Sequence, residues 1–130
     1  LKRLDTFISQ RHALARRYDQ MLKYLPLKTP WQHPDSYSGQ HLYVIRLKLA
    51  EMSKTRLEVF NMLRSAGMGV NIHYIPIYRQ AYYAKMGFKA SDFPESEKYY
   101  AETLTLPLYP TLTEVEQDWV VRVLKEALMS

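Results

Sequence analysis

Apolar side chains recur every three to four residues over the first part of the chain, at Leu4, Phe7/Ile8, Leu14/Ala15, Tyr18, Met21/Leu22 and Leu25. That period predicts an amphipathic helix over residues 4–25, with Arg11, Arg16 and Arg17 facing solvent. Pro26 and Pro30 stop it, because proline lacks a backbone donor and clashes with the preceding turn. Residues 26–40, with three prolines, Ser36, Ser38 and Gly39, read as a loop. The period then changes. His41-Leu42-Tyr43-Val44-Ile45-Arg46-Leu47 is β-branched and aromatic and alternates towards its end, which predicts a strand. Ser53 is placed to cap a helix whose apolar face is Leu57, Phe60, Leu63 and Ala66, and Gly67 to end it in the left-handed conformation. Val70, Ile72 and Tyr74 alternate with Asn71, His73 and Ile75, predicting a second strand closed by Pro76.

Tyr78 to Gly87 has the length of a short helix. Asp92 and Glu95 have capping-box spacing with Pro94 in the first turn, predicting a helix over residues 93–103. Leu104, Leu106 and Leu108 alternate with Thr105 and Pro107 as a short edge strand. Thr113 and Glu116 form a second capping box before a helix carrying Val115, Trp119/Val120, Val123/Leu124 and Ala127/Leu128. The order α-β-α-β-α-α-β-α, without internal repeats, predicts an α+β fold: a small three-stranded sheet with helices packed on it.

Composition narrows the chemistry. At 130 residues and 47% hydrophobic, the chain has the size and apolar content of one globular domain. It has no cysteine, which excludes disulfide scaffolds, thiolate metal sites and cysteine nucleophiles. No apolar run approaches the roughly 18 residues of a membrane span, and no signal-peptide pattern opens the chain; a cytoplasmic location is expected. The chain starts at Leu1, inside helical sequence, and so reads as a piece of a longer protein. The +5 net charge is spread rather than gathered into the basic and aromatic stripe of a nucleic-acid groove. More unusual are 11 tyrosines, with Tyr82-Tyr83 and Tyr99-Tyr100 adjacent.

Neither His12 nor His33 has a partner at helical metal-pair spacing, and no HExxH occurs, so no metal site is expected. His73 stands at the end of a predicted strand, where chains commonly place binding residues. A lone strand-end histidine is equally what a half-buried side chain with a backbone partner looks like. Tyr78, Arg79, Tyr82 and Tyr83 follow, with the hydrogen-bonding and stacking capacity to meet sugars, phosphates or a base. Tyrosines with packed bodies and wet hydroxyls have the same appearance. Tyr99, Tyr100 and Tyr109 are expected to pack on the sheet. The chain has no phosphate-binding glycine loop, no GxSxG elbow and no conspicuous carboxylate pair. By itself it has no complete active site.

Taken in order, these segments resemble the C-terminal domain of the DegT/DnrJ/EryC1/StrS family of sugar-nucleotide aminotransferases. The resemblance runs from the first helix, with Arg11 and Tyr18, through His41-Leu42-Tyr43-Val44-Ile45-Arg46-Leu47 and residues 56–69. It continues through Val70-Asn71-Ile72-His73-Tyr74-Ile75-Pro76-Ile77-Tyr78, Tyr82-Tyr83, Phe93-Pro94-Glu95-Ser96-Glu97 and Leu104-Thr105-Leu106-Pro107-Leu108-Tyr109-Pro110 to the last helix. The chain is most similar to the branch that aminates UDP-linked 4-keto-6-deoxy-hexosamines in pseudaminic acid biosynthesis.

The resemblance implies that residues 1–130 are the small C-terminal domain of an aspartate-aminotransferase-like fold. The large N-terminal domain, absent here, would carry pyridoxal phosphate, its Schiff-base lysine and the aspartate facing the pyridinium nitrogen. No catalytic residue and no bound cofactor are then expected in this chain, which alone should be inactive. His73 and Tyr74 match the family segment that reaches towards the sugar nucleotide. Tyr78, where many members carry histidine, and Arg79 are further substrate-binding candidates. The intact enzyme is expected to be a homodimer that uses an amino-acid donor, glutamate above all, and a nucleotide-linked keto-sugar, without nucleic acid or membrane partners. Two other classes fit the residues: a free-standing basic α+β module that binds nucleic acid, and a purely structural dimerisation domain.

Overall fold

The computed structural model describes residues 2–129. Helix α1 spans Leu4–Leu22 and buries Leu14, Ala15, Tyr18 and Leu22. It stops one turn before Leu25, and the chain turns back through a bond from Leu25 N–H to the Leu22 carbonyl. The presumed loop therefore begins with a strand: β1, Leu27–Lys28, lies antiparallel to β2, Tyr43–Leu47. Pro26 supports this pairing because its carbonyl needs no N–H of its own residue to accept from Lys48 N–H at 2.9 Å. Nor is Arg17 simply solvent-facing. It donates to Gln117 Oε1 and pairs with Asp118 at 2.7 Å, tying α1 to the last helix.

Helix α2 spans Arg56–Ser65, and its N-cap is Thr55 rather than Ser53. Thr55 Oγ1 accepts from Glu58 N–H, while the Glu58 carboxylate accepts from Thr55 N–H at 2.7 Å. This reciprocal pair satisfies two donors that a Ser53 cap, two residues too early, would leave orphaned. The buried row is Val59 and Leu63; Leu57 and Ala66 are exposed. Gly67, at φ +89°, ends the helix as expected.

Residues 70–75 do not form the expected second strand. They make one bridge, Asn71 to Thr105, and the peptide bond between His73 and Tyr74 is cis. Asn71 Oδ1 accepts from Ile72 N–H at 2.8 Å, a local bond that competes with a ladder. The predicted helix over 78–87 divides into a 3₁₀ turn, Ile77–Arg79, and the single turn α3, Ala81–Ala84. Helix α4 spans Pro94–Glu102 with proline in its first turn, but Asp92 does not cap it. The Asp92 carboxylate accepts instead from Lys89 N–H, closing the preceding turn.

Helix α4 passes without any intervening residue into β3, Thr103–Leu106, which pairs antiparallel with β2. The last helix, α5, spans Glu114–Met129 behind the Thr113/Glu116 capping box, as the spacing predicts. The sheet is three-stranded in the order β1-β2-β3, so the α+β class and strand number hold while the strand membership differs. Its two faces have different work. Tyr43, Ile45, Leu47, Leu104 and Leu106 join the core with α1, α2 and α5. Val44, Arg46, Thr103 and Thr105 point to the opposite face, by the two-residue alternation of a strand, and Arg46 there pairs with Glu102 of α4 at 2.7 Å.

Candidate functional site

The second face of the sheet, with the segment 73–79 beside it, is where the chain gathers chemistry. Val44 and Thr105 are directly paired across β2 and β3, so their side chains share this face. Thr105 Oγ1 lies 2.8 Å from His73 Nδ1, which puts His73 on the same face. The partner of the half-buried His73 is thus a side-chain hydroxyl rather than a backbone group. The Tyr74 ring meets the imidazole edge-on at 4.7 Å and is itself 69% exposed.

Tyr78 and Arg79 are placed differently. Tyr78 is buried, stacked on Phe93 with ring centroids 4.4 Å apart, and its hydroxyl donates to Glu97 Oε1. Arg79 forms a two-pronged pair with the same carboxylate, Nε donating to Oε1 at 2.7 Å and the terminal nitrogen to Oε2. Its guanidinium also lies 5.3 Å from the Tyr100 ring centre, and Arg56 lies 5.1 Å from that centre. Of the four residues expected to bind substrate, His73 and Tyr74 present a free edge, whereas Tyr78 and Arg79 are engaged with α4.

Arg79, and then Tyr78, hold the Glu97 carboxyl below the usual carboxylate range. Desolvation, and then Glu97, push the Tyr78 hydroxyl up. A carboxylate depressed in the folded state contributes stability above its unfolded pKa, and loses it as pH falls through the folded value. Glu97→Gln should therefore lower the Tm at neutral pH, with the deficit shrinking as the solution is acidified towards pH 3. A deficit of equal size at every pH, read from thermal unfolding, would show that the charge is not what matters.

The same sheet face carries a cleft of about 440 Å³ lined by Lys28, Trp31, Gln32, Val44, Arg46 and Tyr99. Sequence reasoning passed over Trp31, which is 77% exposed, because it lies in the proline-rich loop. Tyr99 does pack towards the sheet, with Arg46 over its ring at 5.4 Å. Tyr100 lies beside Arg56 and Arg79, and the exposed Tyr109 lines a separate groove with Gly67 and Trp119. His12 donates from Nε2 to the Ser38 carbonyl, 2.7 Å away, and stacks on Tyr37. Among the described residues no three His, Asp or Glu side chains could hold a metal, and no helix is long and apolar enough to cross a membrane.

Pyridoxal phosphate needs a lysine amine within a cavity and a carboxylate facing its ring nitrogen. None of the described lysines is buried, and the clefts bordered by Lys28 and by Lys54 contain no carboxylate. Among the described residues these two clefts do not make that site.

The fold is an α+β domain whose second sheet face carries Arg46 and the His73–Thr105 pair beside a cleft. Residues 1–125 match the DegT/DnrJ/EryC1/StrS aminotransferase family, and the chain belongs to it. The spore coat polysaccharide biosynthesis protein SpsC of Bacillus subtilis is 36% identical over 129 residues, covering 97% of this chain and 33% of SpsC. A DegT/DnrJ/EryC1/StrS aminotransferase from Brucella abortus superposes with TM-score 0.83 at 27% identity, covering 100% of this chain and 33% of that one. Helicobacter pylori PseC, an aminotransferase involved in pseudaminic acid biosynthesis, shares the fold with TM-score 0.86 at 21% identity, over 98% of this chain and 34% of its own. The chain thus spans about a third of the length of these relatives.

Proposed function

We propose that this chain is the small C-terminal domain of a pyridoxal-phosphate-dependent sugar aminotransferase, and that its second sheet face forms one wall of the site for a nucleotide-linked 4-keto-sugar. The observation that carries this reading is the family match over residues 1–125 in a chain a third as long as its relatives. The run of exposed apolar side chains at Ile75, Ile77, Tyr82, Tyr83, Met86 and Phe88 suits coverage by the remainder of such a protein.

Pyridoxal phosphate, when bound, supplies the electron sink for amino transfer. The residues of this chain bind and orient. His73 offers a ring nitrogen and Tyr74 a phenol to an oxygen-rich ligand, while Glu97 holds Tyr78 and Arg79 at the far end of the segment 73–79. Binding energy from a distant diphosphate and base can then align the reacting carbon. Glutamate is the amino donor in this reading, and a UDP-linked 4-keto-6-deoxy-hexosamine the acceptor.

The test is borohydride reduction of the cofactor onto protein, followed by peptide mapping, on the full-length protein and on residues 1–130. Labelling of a lysine in the full-length protein outside residues 1–130, with none in the isolated chain, is the expected result. A full-length protein that takes up no cofactor, or a label on Lys85, Lys89 or Lys98, would sink the proposal.

A further inference from the structure

We propose that Thr105 is the positioning residue of His73, an assignment that rests on reading His73 as a ligand contact and that says how its ring is aimed. Thr105 is 5% exposed and its backbone is held from both sides. It pairs with Val44 in the β2-β3 ladder, and on its outer edge its N–H donates to the Asn71 carbonyl at 2.8 Å while its own carbonyl accepts from Asn71 N–H. A β-branched side chain on so fixed a strand has little freedom at χ1. Its hydroxyl is therefore a stationary group.

His73 has no such support from its own backbone. The segment around it makes a single bridge to the sheet, at Asn71, and Tyr74 and Ile75 beyond it are exposed. The bond of 2.8 Å between Nδ1 and Thr105 Oγ1 is what orients the imidazole. A hydroxyl both donates and accepts, so it pairs with Nδ1 in either tautomer. With Nδ1 taken and the Tyr74 ring against one side, Nε2 is the nitrogen left for a ligand oxygen. The bridge at Asn71 and the hydroxyl of Thr105 thus fix backbone and ring from the same strand residue.

The test uses the full-length protein with its cofactor, a UDP-linked 4-keto-6-deoxy-hexosamine as acceptor and glutamate as donor. Thr105→Val keeps size, branching and strand preference but removes the hydroxyl. It should raise KM for the sugar nucleotide about three- to tenfold. It should leave kcat and the KM for glutamate within about twofold. Thr105→Ser should behave like the parent, and His73→Ala/Thr105→Val no worse than His73→Ala alone. A loss shared equally by both substrates, or a double variant whose losses add, would overturn the assignment.

Nitrogen-15 spectra of histidine-labelled protein give a readout independent of turnover. The His73 ring signals, identified by their loss in His73→Ala, should move in Thr105→Val and stay in place in Thr105→Ser; signals unmoved by Thr105→Val reject the role. The two ideas fail differently. If Thr105 does nothing, His73→Ala is impaired while Thr105→Val is normal. If His73 is not a ligand contact, His73→Ala itself leaves the sugar KM unchanged, and the assignment falls with the reading it rests on.

Discussion

Leu63→Ala should lower the unfolding free energy by about 3 kcal/mol, within the roughly 2–5 kcal/mol seen for fully buried leucines, and the Tm by roughly 10 °C. Leu63 is fully buried in α2, a helix that packs against both β3 and α5. The methylenes lost there leave a cavity that three elements must collapse to fill. Leu57→Ala, on the same helix, should cost less than about 0.5 kcal/mol, because Leu57 is 63% exposed. Denaturant unfolding of the two variants side by side separates the buried row from the exposed one. Equal losses would mean that the helix is rotated from the orientation described above.

His73→Ala should reduce kcat/KM for the nucleotide-linked keto-sugar in the intact enzyme by about 10- to 100-fold, the range for a hydrogen bond to a charged group. The reaction with glutamate alone should be little changed, since the proposed contact is to the sugar nucleotide. Single-turnover measurements on each half of the reaction read this directly, and an equal fall in both halves would place His73 in the framework rather than at the substrate. Tyr78→Phe provides the contrast. Its hydroxyl is already given to Glu97, so its removal should act on stability more than on substrate affinity.

Long periodic elements were legible in the sequence, because burying one stripe of a long helix leaves few alternatives. The spacing in α1 and α5 located both helices, and Thr113 with Glu116 located the second start to the residue. The orientation of α2 was not legible: Leu57/Phe60 and Val59/Leu63 both have helical spacing, and the choice belongs to α5 and β3, which lie far away in sequence. Short elements failed for a related reason. Two residues suffice for β1 once β2 is beside it, whereas Val70 to Ile75 has strand-like alternation but pairs only at Asn71 and gives the Ile72 N–H to the Asn71 side chain. At the candidate site the sequence pointed to His73, Tyr74, Tyr78 and Arg79 as one group. It could not show that Glu97, 18 residues beyond Arg79, engages two of them, nor that Thr105, 32 residues beyond His73, engages a third.

The seamless passage from α4 into β3 sets which changes in length the domain can absorb. Glu97 and Thr105 hold the two ends of the segment 73–79 from one unbroken stretch of backbone. One residue inserted between Glu102 and Thr103 would have no loop in which to be accommodated. It would have to turn α4 by about 100° about its axis or slip β3 by one position, exchanging its leucine and threonine faces. The first would break the tether at Glu97, the second the tether at Thr105. Lengthening the exposed turn around Lys89 would disturb neither. Variation in chain length among proteins built on this plan should therefore collect at that turn and spare the helix–strand junction.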